Sequence, residues 1–232
     1  MLEVNGVDNY YADLHVLDKV SFNVEKGEKV ALFGPNGHGK STLLKTICGL
    51  HPAKHGTVVY NGQDITSSPA HKIVEMGVAY IPEERYLFTD MTVYENLLMG
   101  AYTPKARDKI RENLNFVYEI FPRLKERQNQ ITSTLSGGES RMVAIARGLM
   151  SEPTLLLVDE PSIGLSPSLR KVVFQSLESV NREKNITILI VEQEISDALK
   201  LSERIYMLKK GRIIFERTAE EVDVEEIEKA YF

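Results

Sequence analysis

A glycine-rich segment at residues 34–41 has the spacing of a loop that binds nucleotide phosphates. It reads Gly-Pro-Asn-Gly-His-Gly-Lys-Ser and lies between a predicted strand, Val30–Phe33, and a predicted helix, which is the context that this motif requires. Glycines let successive backbone N–H groups point at phosphate oxygens, and the helix N-terminus adds partial positive charge. Lys40 would reach the β- and γ-phosphates, and Ser41 would offer its hydroxyl to Mg²⁺. The residues predicted to bind a nucleoside triphosphate here are Gly34, Pro35, Asn36, Gly37, His38, Gly39, Lys40, Ser41 and Thr42.

An apolar run that ends in two acids could complete this chemistry. Residues 154–160 read Thr-Leu-Leu-Leu-Val-Asp-Glu, the pattern of a buried strand that delivers carboxylates to the C-terminal edge of a sheet. Asp159 can hold Mg²⁺ directly or through water, and Glu160 can orient or deprotonate an attacking water. A strand that ends in Asp-Glu is common by itself, so this interpretation depends on the phosphate loop upstream.

The start of another helix predicts a second anion site. A serine hydroxyl and bare glycine N–H groups at a helix start attract an anion, although Ser-Gly-Gly alone would be an ordinary helix cap. Because Lys40 already provides a full phosphate cradle, the two helix starts need not bind the same nucleotide. The residues of this second segment are Leu135, Ser136, Gly137, Gly138 and Glu139.

The elements that must position these groups alternate between strands and helices, which indicates an α/β sheet. The predicted strands are Val20–Val24, Lys29–Phe33, Thr57–Tyr60, Val78–Ile81, Leu155–Asp159, Ile186–Val191 and the hairpin of Arg204–Leu208 with Arg212–Phe215. The predicted helices are Ser41–Gly49, one capped by Thr92 and Glu95, Lys105–Ile120, Gly138–Met150, one that begins at Ser166 and Pro167, and Ser196–Leu201. Residues 88–150 contain no convincing strand, so we predict a helical lobe inserted into the α/β core.

Composition and charge exclude several classes of protein. The chain of 232 residues is 43% hydrophobic, and no apolar run reaches the roughly 20 residues that a membrane helix needs. A single cysteine, Cys48, excludes an internal disulfide and fits a reducing, cytoplasmic compartment. The net charge of −5 argues against a nucleic-acid partner, which would need a basic stripe. Acids are concentrated in residues 216–232, where Val224, Ile227 and Tyr231 have helical spacing.

Together the three motifs resemble those of a known family, the nucleotide-binding subunits of ABC transporters, and the resemblance covers residues 2–232. It implies an α/β P-loop NTPase (RecA-like) core with an N-terminal antiparallel β region and an inserted α-helical subdomain. We therefore expect a single ABC ATPase domain in residues 1–232. Residues 1–87 and 151–232 would form the α/β core with its β region, and residues 88–150 would form the helical subdomain with the signature motif. The implied ligands are ATP and Mg²⁺.

The resemblance also implies how the site is completed. Two such subunits dimerise head to tail, so that the phosphate loop of one and the Leu-Ser-Gly-Gly segment of the other enclose each ATP. Tyr11 lies where the family places an aromatic side chain that stacks on adenine, with Tyr10 as the alternative. The implied partners are a second ABC ATPase subunit, transmembrane permease subunits and, indirectly, a substrate-binding protein. The chain would then be peripheral on the inner face of the cell membrane.

Four positions depart from the usual pattern of the family. Glu83 stands where a glutamine is usual and adds a negative charge near the γ-phosphate, so ATP binding should depend strongly on Mg²⁺. Gln193 replaces the usual switch histidine and cannot titrate, so the base role falls to Glu160. Ser166 replaces an aspartate, and His38 replaces a small residue and is expected to point outward. The predicted metal ligands are Ser41, Glu83 and Asp159, and the predicted catalytic residues are Lys40, Glu160 and Gln193.

These departures, together with residues 82–85 and 91–97, resemble one branch of the family. That branch contains the ATPase subunits of importers for hydrophobic, branched-chain amino acids, which typically pair two different cassettes, so a heterodimer is favoured over a homodimer. Importers of urea and short-chain amides are close relatives and remain an alternative. A soluble cassette protein that acts on ribosomes or DNA is a second alternative, although such proteins typically carry two cassettes or long coiled-coil inserts.

Overall fold

The structure is a computed structural model that describes residues 1–222 and Ile227. The strands are β1 (Leu2–Tyr11), β2 (Leu14–Val24), β3 (Lys29–Phe33), β4 (His55–Tyr60), β5 (Gln63–Asp64), β6 (Val78–Ile81), β7 (Leu155–Asp159), β8 (Thr187–Val191), β9 (Arg204–Lys209) and β10 (Arg212–Thr218). The helices are α1 (Lys40–Ile47), α2 (Ala70–Glu75), α3 (Val93–Gly100), α4 (Pro104–Asp108), α5 (Ile110–Ile120), α6 (Pro122–Glu126), α7 (Gly137–Leu149), α8 (Pro167–Lys184) and α9 (Ile195–Leu201). Short 3₁₀ turns cover Thr132–Thr134 and Ala219–Glu221. The helical spacing predicted for Val224 and Tyr231 falls on residues outside the described part of the chain.

A six-stranded sheet positions the predicted site. Its order is β10-β9-β3-β8-β7-β6, and the pairs from β9 to β6 are all parallel. Strands β7 and β8 are buried along their whole length, as expected for parallel strands that are covered on both faces. Consequently the loops that follow β3, β8, β7 and β6 all leave the sheet at the same edge.

The two faces of this sheet bury two different sets of partners. Val30 and Leu32 in β3 belong to an apolar cluster with the antiparallel sheet β2-β1-β4-β5 and helix α1. Ala31 and Phe33 alternate with them and belong to a cluster with helices α3, α7 and α8. The side chains alternate because successive residues of a strand point to opposite faces. The sheet is therefore the common core of both layers.

Residues 88–150 carry helices α3 to α7, and the described structure assigns no strand to this stretch beyond an isolated bridge between Thr92 and Ile131. Thr92 caps α3 with a capping box, because its side chain accepts a hydrogen bond from the Glu95 N–H while the Glu95 carboxylate accepts one from the Thr92 N–H. The apolar cluster of these helices continues into β3 and β7. Their division from the α/β core as a separate subdomain stays a prediction.

Most predicted elements are present, with two corrections. The single helix predicted for Lys105–Ile120 is wrong, because the chain forms α4 and α5 with a break at Lys109, whose φ of −117° and ψ of 17° are not helical. Strand β2 begins at Leu14 rather than at Val20 and passes through an irregularity at Lys19, where φ is 49°. The periodicity of the sequence alone did not delimit β1, β5, α2 or α6. None of the described helices is long and apolar enough to span a bilayer.

We expect Leu157→Ala to lower the free energy of unfolding by about 3 kcal/mol, because it opens a cavity in the middle of the sheet. Leu157 is fully buried in β7, the strand that delivers Asp159 to the site. Urea denaturation followed by circular dichroism measures the change. Leu50→Ala is the matched control, since Leu50 is 59% exposed and its truncation should change stability by less than about 0.5 kcal/mol. Equal effects of both substitutions would contradict this assignment of the core.

Candidate nucleotide site

A cavity of about 420 Å³ opens at the edge of the sheet where β3, β8, β7 and β6 end. Its lining contains many of the residues predicted from the sequence, namely Tyr11, Asn36, Gly37, Gly39, Lys40, Ser41, Thr42, Glu83, Glu160 and Gln193. Val16 and Ile163 also line it and were not predicted. Pro35, His38 and Asp159 are adjacent in the chain to lining residues but do not line the cavity themselves, and Gly34 lies two residues before the first lining residue of its loop. The structure thus brings together residues from five separate segments of the sequence.

The loop after β3 folds around the Lys40 side chain. Lys40 is the first residue of α1, and its Nζ donates hydrogen bonds to the carbonyl oxygens of Gly34 at 2.7 Å and Pro35 at 3.2 Å. Gly39 caps the helix at a φ of 103°, a conformation that favours glycine. A Cβ at Gly39 would also lie 2.8 Å from the Leu17 side chain. The loop therefore combines a buried cation with a helix start, the arrangement that binds phosphate.

Asp159 ends β7 with a carboxylate that two hydroxyl groups hold. Ser41 Oγ donates to Asp159 Oδ1 at 3.1 Å, and the Tyr80 hydroxyl donates to Oδ2 at 2.9 Å. The residue is 1% exposed, and burial raises the pKa of this carboxyl above its usual range. A bound cation would relieve that desolvation, and the hydroxyl and carboxylate oxygens are the ligands that Mg²⁺ prefers. These residues therefore fit a Mg²⁺ ion.

Glu160 is held in place by its backbone and by two side chains. Its φ of 43° is unusual for a residue with a side chain, and its N–H donates to the carbonyl oxygen of Val191 at 2.9 Å. Lys40 Nζ lies 3.4 Å from Glu160 Oε1, and the Gln193 side-chain amide donates to Oε2. Strained backbone at a buried carboxylate is common at functional sites. The carboxylate faces the cavity beside the cation of the phosphate loop.

The Glu83 side chain lines the same cavity. Burial raises the pKa of its carboxyl, and the carboxylates of Glu160, Glu84 and Asp159 raise it further. Its backbone carbonyl is fixed by Arg141, whose Nη2 donates to that oxygen at 2.6 Å. Glu83 thus adds a third acid to a site that is already rich in negative charge, which is consistent with its predicted place near a metal ion.

The segment after β8 joins the site to the loop after β7. Glu192 is almost fully buried and accepts hydrogen bonds from the Ser162 N–H and hydroxyl, each at 2.9 Å. Its neighbour Gln193 reaches the Glu160 carboxylate. Ser166, further along the same loop, caps α8 by accepting from the Leu169 N–H, as the sequence predicted. The sequence analysis did not single out Glu192 or Ser162. The available signal was the acid Glu192 at the end of an apolar strand, directly before Gln193.

Of the two candidate adenine-stacking residues, Tyr11 lines the cavity and Tyr10 does not. Tyr11 lines the cavity and stacks on His51, with ring centroids 4.3 Å apart. Tyr10 stacks instead on His15 and does not line the cavity. This placement favours Tyr11. His38, which was expected to point outward, is partly exposed and does not line the cavity. Its Nδ1 is buried and has no hydrogen-bond partner in the described part of the chain, and burial lowers the pKa of the ring.

The Leu135–Glu139 segment lies at the start of α7, and none of its residues lines the cavity. Ser136 forms a capping box with Glu139: its Oγ accepts from the Glu139 N–H at 3.4 Å, and its own N–H donates to the Glu139 carboxylate at 3.0 Å. Glu139 also forms an ion pair with Arg127 at 2.7 Å. A Cβ at Gly138 would lie 2.5 Å from the Leu169 side chain. The structure therefore keeps this helix start apart from the chain's own phosphate loop.

Comparison with known proteins identifies relatives of the whole chain. A family described as "ABC transporter" matches residues 17–163. The high-affinity branched-chain amino acid transport ATP-binding protein BraG of Pseudomonas aeruginosa is 44% identical over 94% of this chain and 93% of its own length. A solved ATP-binding cassette of an ABC transporter superposes with a TM-score of 0.89 at 28% identity, covering 100% of this chain and 98% of its own. A cassette solved as a dimer in a post-hydrolysis state with ADP and Pi superposes with a TM-score of 0.80 at 26% identity. The match covers 94% of this chain and 99% of the solved chain.

We expect Glu83→Gln to weaken the dependence of ATP affinity on Mg²⁺. Two unit charges about 4 Å apart at an effective dielectric constant of about 20 repel by about 4 kcal/mol, so a carboxylate facing the phosphates is tolerable mainly with a cation between them. The substitution should raise ATP affinity in EDTA at least about tenfold, which needs only about 1.4 kcal/mol, and change affinity in Mg²⁺ much less.

Titration calorimetry with and without Mg²⁺ measures this ratio. Glu84→Gln is the matched control, because Glu84 is the exposed neighbour and does not line the cavity. If the ratio of ATP affinity with Mg²⁺ to that without Mg²⁺ is the same in Glu83→Gln and in the unsubstituted protein, the prediction is wrong.

Proposed function

The chain belongs to the ABC transporter family as one of its ATPases, and on that premise we propose that it drives an importer of branched-chain, hydrophobic amino acids. The observation that carries the proposal is the cavity at the sheet edge. It gathers the phosphate-loop cation Lys40 and the Glu160 carboxylate, with Asp159 directly behind Ser41. ATP is the nucleotide that this cavity would bind.

We propose that the loop around Lys40 binds the phosphates of ATP. The ammonium group, the backbone N–H groups of the loop and the start of α1 together offer positive charge and donors to phosphate oxygens. Ser41, Glu83 and Asp159 would hold Mg²⁺, which supplies neutralisation of phosphate charge when bound. Tyr11 would stack on the adenine ring from the exposed side of the cavity.

Glu160 is proposed as the residue that prepares water for attack. Its carboxylate faces the cavity and can accept a proton or orient a water by a hydrogen bond. Gln193 is beside it and can donate its amide N–H to a phosphate oxygen, but an amide does not titrate near neutral pH. Proton transfer therefore falls to Glu160, and Gln193 contributes position and hydrogen bonding.

The head-to-tail dimer is also a proposal, and the separation of the two helix starts supports it. Residues Leu135, Ser136, Gly137, Gly138 and Glu139 do not line the cavity of their own chain, and the exposed helix start at Ser136 and Gly137 is accessible to the ATP of a second subunit. That subunit is another ABC ATPase, and we favour a related cassette over a second copy of this chain. Closure around two ATP molecules, and reopening after hydrolysis, would provide the motion that drives transport.

An apolar groove between the lobe and the core is the proposed contact with permease subunits. The groove has a volume of about 360 Å³ and is lined by Tyr86, Phe88, Met99 and Tyr102, all large side chains that are at least 43% exposed. Exposed apolar side chains at this density are typical of interaction surfaces. Docking there would make the chain peripheral on the cytoplasmic face of the cell membrane, with a substrate-binding protein as an indirect partner.

The cargo is inferred from relatives and not from residues that would touch it. BraG is named as a branched-chain amino acid transport protein, and its similarity extends over nearly the whole of both chains. A urea or amide importer is the alternative within transport, and a soluble cassette protein is the alternative outside it. The exposed apolar groove favours a transporter subunit, because exposed apolar patches mark interaction surfaces and a permease would cover this one.

We expect Glu160→Gln to bind ATP but to lose at least about 100-fold in turnover, the usual range for loss of a general base. The variant should also form a dimer in ATP that is stable on size-exclusion chromatography, since closure is no longer relieved by hydrolysis. Glu178→Gln, at an exposed position of α8, is the control and should behave as the unsubstituted protein. Unimpaired turnover in the Glu160→Gln variant would remove this residue from the proposed role.

We expect Tyr102→Glu to lose permease binding while retaining ATP affinity. A carboxylate in the apolar groove must be desolvated on docking, which is costly without a partner charge. Co-purification with integral membrane subunits and uptake of labelled leucine or urea by cells measure the effect. Ile214→Glu, on β10 and 48% exposed, is the control. Retained leucine uptake with Tyr102→Glu would count against this groove, and uptake of urea instead of leucine would count against the proposed cargo.

A further inference from the structure

The Arg85 side chain lies against the bare start of helix α7. Its Nη2 and Nη1 atoms are 3.3 and 3.6 Å from the position that a Cβ would occupy on Gly137. Arg85 comes from the loop after β6, two residues beyond Glu83, and is partly exposed. The guanidinium thus stands beside the signature segment although it is about fifty positions away in the chain.

This guanidinium has no counter-ion in the described part of the chain. No described side chain or carbonyl oxygen lies within hydrogen-bond or ion-pair distance of it. Glu139, the acid in the first turn of α7, is already engaged by Ser136 and by Arg127 at 2.7 Å. The Arg85 backbone carbonyl, by contrast, accepts a bond from Arg147 at 3.2 Å, so the loop is anchored without the side chain.

A second guanidinium, that of Arg141 in α7, lies close to Arg85. Arg141 is fully buried and donates to the carbonyl oxygens of Pro82 at 2.9 Å, Glu83 at 2.6 Å and Glu160 at 3.4 Å, but within the described residues it forms no ion pair with a carboxylate. Burial lowers the pKa of Arg141, and the charge of Arg85 lowers it further. The charge of Arg85 thus opposes that of Arg141, while the carboxylates of Glu192, Glu83 and Asp159 act on Arg141 in the opposite direction.

The first turn of α7 adds to the same positive charge. Ser136 caps the N–H of Glu139, whereas the N–H groups of Gly137 and Gly138 have no acceptor among the described residues. Gly137 is exposed and Gly138 is buried, so of these two donors the Gly137 N–H belongs to the exposed residue. A helix start contributes about half a unit of positive charge. Bare N–H groups, a helix dipole and an unpaired guanidinium all favour an anion at this point.

An anion bound at the start of α7 would not be a phosphate of the nucleotide in the chain's own cavity. Arg85 does not line the cavity that contains Lys40, and no residue of the signature segment does. In the cavity the cation Lys40 is balanced by Glu160 at 3.4 Å, whereas nothing in the described chain balances Arg85. An anion bound beside Arg85 would therefore come from another molecule.

We propose that Arg85 binds the terminal phosphate of the ATP held by the second subunit of the dimer. This inference rests on the proposed head-to-tail arrangement and adds a residue to it. The planar guanidinium can donate two parallel hydrogen bonds to phosphate oxygens, alongside the N–H group of Gly137. Arg85 is thus a binding residue that acts in trans, and it has no contact with the nucleotide of its own chain.

The test uses the Glu160→Gln chain, alone and with the second cassette of its transporter, and measures two quantities. Light scattering after size-exclusion chromatography gives the ATP concentration at which half of the protein is dimeric. Fluorescence of an ATP analogue gives the nucleotide affinity of the monomer at low protein concentration. We expect Arg85→Gln to raise the first value at least tenfold and to leave the second unchanged. Arg85→Lys, which keeps the charge and loses the planar fork, should give an intermediate value.

Arg107→Gln is the matched control, because Arg107 is an exposed arginine of α4 and should alter neither quantity. Dimerisation of the Arg85→Gln variant at the same ATP concentration as its parent would overturn the inference and leave the proposed function intact. A parallel loss of nucleotide affinity in the monomer would also overturn it, since the residue would then act within its own chain. Failure of the Glu160→Gln chain to dimerise in ATP in either pairing would overturn the proposed dimer itself.

Discussion

The parallel register of β3, β8, β7 and β6 fixes almost everything at the site. Neighbouring parallel strands end at the same edge of a sheet, so the phosphate loop, the switch segment, the two terminal acids of β7 and Glu83 emerge side by side. Each group sits on the first residues beyond a buried strand, where the backbone is still held by the sheet. Precision at the cavity thus derives from the apolar packing of the strands behind it.

Electrostatics then determines how this edge can be used. Asp159, Glu160 and Glu192 are all buried, and burial raises the pKa of Asp159 and of Glu192. Lys40 lies against Glu160, and hydroxyl groups and backbone N–H groups hold the other two acids. Concentrated negative charge of this kind disfavours a triphosphate unless a cation lies between them. On the proposed function, this charge would link nucleotide binding to metal binding.

The sequence was informative where function depends on local spacing and less so where it depends on packing. The phosphate loop and the acids after β7 could be found because each motif is continuous in the chain and has a fixed relation to a strand. Tyr80 and Arg141 could not, because their partners are distant in sequence and meet them only in the folded sheet. The break at Lys109 was missed for another reason: helical periodicity continues across it although the backbone does not.

The starts of α1 and α7 differ in how the positive charge beside them is balanced. This difference bears on how the proposed dimer could open again after hydrolysis. At α1 the cation Lys40 has a carboxylate within ion-pair distance, whereas at α7 Arg85 has none among the described residues. On the proposed arrangement the balancing charge at α7 is the terminal phosphate of another subunit's ATP. Hydrolysis removes that phosphate from the nucleotide, so the attraction between subunits weakens as a direct result of the reaction. The same charge that recruits the second subunit would then release it, without any separate device for opening the dimer.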